Sequence, residues 1–128
     1  MEKSGMVVDT SIFIEFLRAG DKTKTSLFLI PDDEQIFISA VTLYELLMGA
    51  VTPDKLTDIK ILTEEIAVLP FNEDVADKAA EIYHQLRKLN KMIEFRDIFI
   101  AATCLVNNLP VKTLNTKHFD RIIGLGIA

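Results

Sequence analysis

The stretch GMVVDTSIFIEFLRAG, residues 5–20, decides the fold. GMVVD (5–9) is a short apolar run closed by a single carboxylate, and it reads as a buried strand. Residues 10–19, TSIFIEFLRA, place apolar side chains at helical spacing and stop at Gly20, the residue type that ends helices. Asp9 falls at the junction, where an acid between two apolar elements needs a reason.

The alternation continues outward from there. QIFIS (35–39) is a second strand, with Ser39 placed to cap the helix AVTLYELLMG and Gly49 as its stop. IAVLP (66–70) is a third. Asn72 caps a long helix to about Asn90, whose Val75, Ala79, Ile82, Leu86 and Leu89 recur at helical spacing. IEFRDIFIAATCLV (93–106) is a nearly apolar helix reaching Asn107 or Asn108, VKTL (111–114) a fourth strand, and TKHFDRI a short last helix. Helical pieces are also expected around 21–30, before Pro31, and over 53–64. Short apolar strands alternating with helices indicate an α/β domain whose mostly parallel sheet is covered on both faces. Ligands bind such sheets at the C-terminal ends of the strands. With no repeat or linker, residues 1–128 read as one domain.

Composition narrows the function. Half the chain is hydrophobic (49%), enough for a sizeable core, and the mean hydropathy of +0.26 means that either much of it is buried or some apolar surface awaits a partner. No apolar run reaches the length of a membrane span, and Asp9 interrupts the one region resembling a signal peptide. A single cysteine, Cys104, excludes an internal disulfide; it suits a reducing cytoplasm and reads as a core residue. The net charge of −5 is the wrong sign for a nucleic-acid binder, so action on RNA needs a metal, a local basic patch or a basic partner.

Three carboxylates stand apart from the other acids. Asp9 ends the first strand, Glu45 lies within VTLYELLMG, and Asp97 heads the apolar run of its helix, whereas most others lie in polar surroundings such as PDDEQ. Taken singly, each has an ordinary explanation in helix capping, solvation or dipole compensation. Together in a dry pocket they would repel one another unless a hard cation neutralised them. Mg²⁺ and Mn²⁺ take oxygen ligands, and such ions activate water for attack on phosphodiesters. Around the three, Ser11, Thr113 and Asn115 offer neutral oxygens. Glu94, three residues before Asp97, either adds a carboxylate to the site or compensates its own helix end.

In order, VVDTSIFIEFL, SAVTLYELLMGA, RDIFIAAT and TLNTKHFDRI resemble the motifs of a PIN domain, specifically those of VapC-type toxins from toxin–antitoxin pairs. The resemblance covers nearly the whole chain. It implies a Mg²⁺- or Mn²⁺-dependent ribonuclease with Asp9, Glu45 and Asp97 as its acidic, metal-holding core, Asn115 at the fourth catalytic position, and Ser11, Thr113 and Glu94 as the supporting shell. That fourth position is often Asp in the family. Asn there lowers the site's charge and leaves open a catalytically degenerate module that binds RNA or protein.

The family also implies a homodimer and a small antitoxin lying in an apolar groove, here assigned to Ile12, Phe13, Phe16, Leu17, Leu46, Leu47 and the 53–63 helix. Arg18, Lys22, Lys24, Arg87, Lys88, Lys91, Arg96 and Lys117 are candidates for RNA phosphate contacts, Arg96 foremost. His118 is a candidate substrate contact; neither it nor His84 reads as a general base or metal ligand. A phosphoacceptor receiver domain fits poorly, since it needs an acidic pair where this chain has Asp9 followed by Thr10 and Ser11.

Overall fold

The computed structural model describes residues 4–128. Strand β1 spans Met6–Val8, β2 Ile36–Ser39, β3 Ala67–Leu69 and β4 Val111–Lys112. The helices are α1 (Thr10–Arg18), α2 (Ala40–Gly49), α3 (Pro53–Thr63), α4 (Glu73–Lys88), α5 (Phe95–Val106) and α6 (Thr116–Phe119). Among the described residues the four strands form one parallel sheet in the order β3-β2-β1-β4. A lone parallel bridge from Val111 to Ile127 extends its β4 edge.

The period of two along each strand sorts the core onto the two faces of the sheet. Val7, Phe37 and Val111, paired side by side, face a cluster with Val75, Ile82 and Leu86 of α4 and Ile98, Ile100 and Ala101 of α5. Val8 and Ile38 face the other way, onto Ile12 and Phe13 of α1, Leu46 of α2 and Ile59 of α3. The result is three layers. Cys104 is fully buried in the first cluster, and burial pushes its thiol pKa up, so it packs as a neutral apolar residue.

The expected caps form. Ser39 accepts from the Thr42 amide at 3.0 Å, and Asn72 from the Val75 amide at 3.0 Å. Asn90 and Asn108 take left-handed backbone angles (φ 54° and 55°) and end α4 and α5 in paired reverse bonds. In these, Lys91 N donates to Leu86 O and Asn90 N to Arg87 O, with the same pattern for Leu109 and Asn108.

α2 spans AVTLYELLMG and ends at Gly49 as expected, with Ala50 as its C-cap. Two local expectations change. The helix expected over 21–30 contracts to a single 3-10 turn, Lys22–Lys24. There Asp21 accepts from the Thr23 amide at 3.1 Å and the Thr25 hydroxyl donates to Lys22 O at 2.6 Å, side-chain bonds that compete with a helix ladder. The last strand stops at Lys112 because the next amides turn to hydroxyls: Leu114 N donates to Ser11 Oγ at 3.1 Å and Asn115 N to Thr113 Oγ1 at 2.9 Å.

Candidate active site

The strand order reverses between β1 and β4: successive strands leave β1 on one side, and β4 returns on the other. At such a switch point the loops beyond the two strands diverge and leave a crevice. Asp9 follows β1 there, and Thr113 and Asn115 follow β4. α2 and α5 close the same crevice, bringing in Glu45 and Asp97. Asp9, Glu45, Asp97, Asn115 and Glu94 all line one pocket of about 180 Å³ together with Ser11. Residues spread over more than a hundred positions thus meet in one pocket, while Thr113 stays behind it.

Asp9 is 1% exposed. Its Oδ2 accepts from Ser11 Oγ and from Thr113 Oγ1, each at 2.7 Å. It sits at the N-cap position of α1 without making a side-chain cap bond, so capping does not explain it. Glu45 is not on a solvated face either, since its side chain is only 10% exposed. Thr10 donates to Glu45 Oε1 at 2.9 Å and lies 3.0 Å from Thr42 Oγ1, which in turn lies 3.2 Å from Ser39 Oγ. The protons of these three hydroxyls order so that each donates toward Glu45. Among the described residues no buried polar side-chain atom is left without a partner.

Asp97 is 7% exposed, and its Oδ2 meets His118 Nδ1 at 3.1 Å. Burial raises its carboxyl above the usual range and the Asp9 and Glu94 charges add to this, while the His118 hydrogen bond pulls it down. Arg96 bridges two acids, with Nη1 3.0 Å from Glu45 Oε2 and Nη2 2.7 Å from Glu94 Oε2. Both carboxylates raise the guanidinium's pKa further, Glu45 most. Glu94 is therefore at the pocket rim, exposed and turned to Arg96, and it makes no cap bond for α5. Asn115 opens α6, and its side chain makes no cap bond.

Thr10 and Thr42 escaped sequence reading, although Thr10 directly follows Asp9 and Thr42 stands one turn into the Ser39-capped helix. His118 reaches a site carboxylate because it lies three residues after Asn115, one turn back toward the tip of β4. Two other basic residues are engaged elsewhere. Lys22 donates to Phe16 O at 2.7 Å, closing the end of α1, and Arg87 lies 3.3 Å from the Tyr83 hydroxyl.

The donor set of the pocket is carboxylate oxygen with neutral hydroxyl and amide oxygens beside it, which suits a hard divalent ion. As the side chains stand, no three acid, histidine or thiol groups among the described residues converge on one coordination point. Glu45 turns to Arg96 and Asp97 to His118.

An apolar groove of about 400 Å³ opens beside the acidic pocket and shares Glu45 with it; Leu17, Leu46, Ala50 and Ile59 contribute its apolar lining. Of the groove residues expected from sequence, Leu17 and Leu46 line it, as does the 53–63 helix through Ile59. Ile12, Phe13, Phe16 and Leu47 do not; Ile12 and Phe13 are fully buried in the core, on the face of α1 turned toward the sheet.

The chain belongs to the PIN-domain family, whose model matches residues 6–125. A ribonuclease VapC from Rickettsia bellii is 36% identical over 130 residues, spanning 96% of this chain and 94% of the relative. The solved structure of VapBC-1 from nontypeable Haemophilus influenzae matches with a TM-score of 0.82 at 26% identity over 96% of each chain. VapBC-5 of Mycobacterium tuberculosis, from the VapBC family of toxin-antitoxin systems, matches with a TM-score of 0.72 at 27% identity, over 97% of this chain and 94% of that one. No helix among the described residues is long and apolar enough to cross a membrane.

Proposed function

We propose that this protein is a Mg²⁺- or Mn²⁺-dependent ribonuclease and the toxin of a VapBC-type pair. The observation that carries this reading is the meeting of Asp9, Glu45 and Asp97 in one pocket at the strand switch point. Asp9 and Asp97 would hold the ion with Glu45 beside them. When bound, the ion supplies Lewis-acid polarisation of the scissile phosphate and lowers the pKa of water at the site.

The chain's own residues do the remaining work. Ser11 and Thr113 fix the rotamer of Asp9, and the Thr10–Thr42–Ser39 hydroxyl chain holds Glu45, whose carboxylate would orient or deprotonate the attacking water. Asn115 offers a neutral amide where a fourth acid would add charge, which favours one tightly held ion over two. Arg96, half-exposed at the mouth, would meet an RNA phosphate on release from its acidic partners.

The apolar groove beside Glu45 suits an antitoxin segment whose basic side chain reaches the acidic pocket. An acidic chain with such a groove fits a basic-tailed partner. Phe71, Tyr83, Phe95 and Phe99 line a separate apolar hollow between α4 and α5 that offers a surface for a homodimer. The deciding experiment is incubation of antitoxin-free protein with RNA and Mn²⁺. Cleavage that stops on chelation supports the reading; no cleavage and no ion binding reduce the protein to a PIN-like binding module.

A further inference from the structure

A side chain already holds the cationic position at Glu45. Arg96, the second residue of α5, reaches across the pocket mouth and joins Glu45 on α2 to Glu94 at its own helix start, at 3.0 Å and 2.7 Å. The other Glu45 oxygen takes the Thr10 hydroxyl at 2.9 Å, so both oxygens are engaged. The pair is lopsided. Glu45 is 10% exposed and Arg96 56%, so the guanidinium covers a nearly buried carboxylate from the solvent side. A buried carboxylate is costly to leave without a counter-charge, whereas a half-exposed guanidinium that swings away is rehydrated. Glu94 would still hold it, which keeps the swing short. The contact is therefore built to be exchanged for another cation.

We infer that Arg96 is an internal counter-cation for Glu45, and that a divalent ion takes Glu45 only by displacing it. This rests on the metal-dependent reading of the pocket. Arg96 is then a positioning residue: it holds the acidic pocket in a neutralised arrangement and gives way when the ion enters. Its planar fork spans two carboxylates at once, which a point-charge amine does not do.

The test is Mn²⁺ affinity, followed by electron paramagnetic resonance, for the wild type, Arg96→Gln and Lys117→Gln. Lys117 neighbours the pocket-lining His118 and serves as the control for a through-space charge effect. Arg96→Gln should tighten the Mn²⁺ dissociation constant by about five- to tenfold, as expected for removal of one charge-assisted competitor, and Lys117→Gln by less than about twofold. In wild-type protein, which needs no substitution to fold, the Arg96 guanidinium nitrogen signals should shift on Mg²⁺ titration as the Glu45 contact is lost. Unchanged affinity in Arg96→Gln, an equal gain in Lys117→Gln, or guanidinium signals unmoved at saturating Mg²⁺ would each overturn the exchange. Failure of the wild type and Arg96→Gln alike to bind Mn²⁺ removes the metal reading itself, and the exchange with it.

Discussion

Thr113 Oγ1 donates to Asp9 Oδ2 at 2.7 Å, tying the ends of two adjacent parallel strands across 104 positions of sequence. The same hydroxyl accepts from the Asn115 amide at 2.9 Å, so one side chain both ends β4 and orients the carboxylate at the tip of β1. Thr113→Val keeps the shape and removes the hydroxyl. It leaves Asp9 with Ser11 alone and should cost about 1–3 kcal/mol in urea unfolding. With Asp9 holding the ion as proposed, RNA cleavage should fall by about 10–100-fold, the usual effect of losing a group that orients a metal ligand. Thr113→Ser should restore both; failure of that rescue would argue that the methyl group, not the hydroxyl, matters here.

Asp97→Asn should separate stability from function. Burial, with Asp9 and Glu94 nearby, raises the folded-state pKa of Asp97 above its unfolded value, and His118 only partly opposes this. A raised carboxyl binds its proton more tightly when folded, so the ionised form costs stability above the folded pKa. That cost disappears as pH falls through the folded pKa toward the unfolded one. In chelator, Asp97→Asn should therefore melt higher than wild type at about pH 8, by roughly 2–4 °C, with a smaller gain at about pH 4. A lower melting temperature at the higher pH would mean that the His118 contact outweighs the burial.

Much of this was legible in the sequence because its signals are local. Uniformly apolar strands gave the parallel sheet, and Ser39, Asn72, Asn90 and Asn108 marked helix ends through backbone chemistry that each carries itself. The three site acids stood out because Asp9, Glu45 and Asp97 interrupt apolar runs. What stayed hidden depends on side chains meeting across the fold. Arg96 reads in sequence as a base for an RNA phosphate, yet in the fold it pairs with Glu45, 51 positions away. Thr10 and Thr42 are ordinary helix residues until the sheet brings them together beneath Glu45. The 21–30 segment misled because Asp21 and Thr25 bind their own backbone, which periodicity does not register. Ile12 and Phe13 could not be told from groove residues, since an apolar helix does not state which stripe meets the sheet.

Gly5 sets how β1 meets β2. Its φ of +126° is open mainly to glycine, and a Cβ there would collide with the Gln35 carbonyl oxygen. That oxygen accepts from the Met6 amide at 3.0 Å, the first bond between the strands. Gly5→Ala should destabilise the fold by about 2 kcal/mol or more, with a lower urea midpoint. An unchanged midpoint would show that the strand start relaxes at no cost.

The most direct test of the proposed metal-dependent site is RNA cleavage by wild type, Asp9→Asn and Asp97→Asn in the same Mn²⁺ buffer, with circular dichroism confirming that each is folded. Wild type should cleave and stop on chelation, and each variant should lose at least about 10²-fold in rate. Cleavage that persists in folded Asp9→Asn, or that ignores chelator, would contradict a reaction run by these carboxylates and their ion.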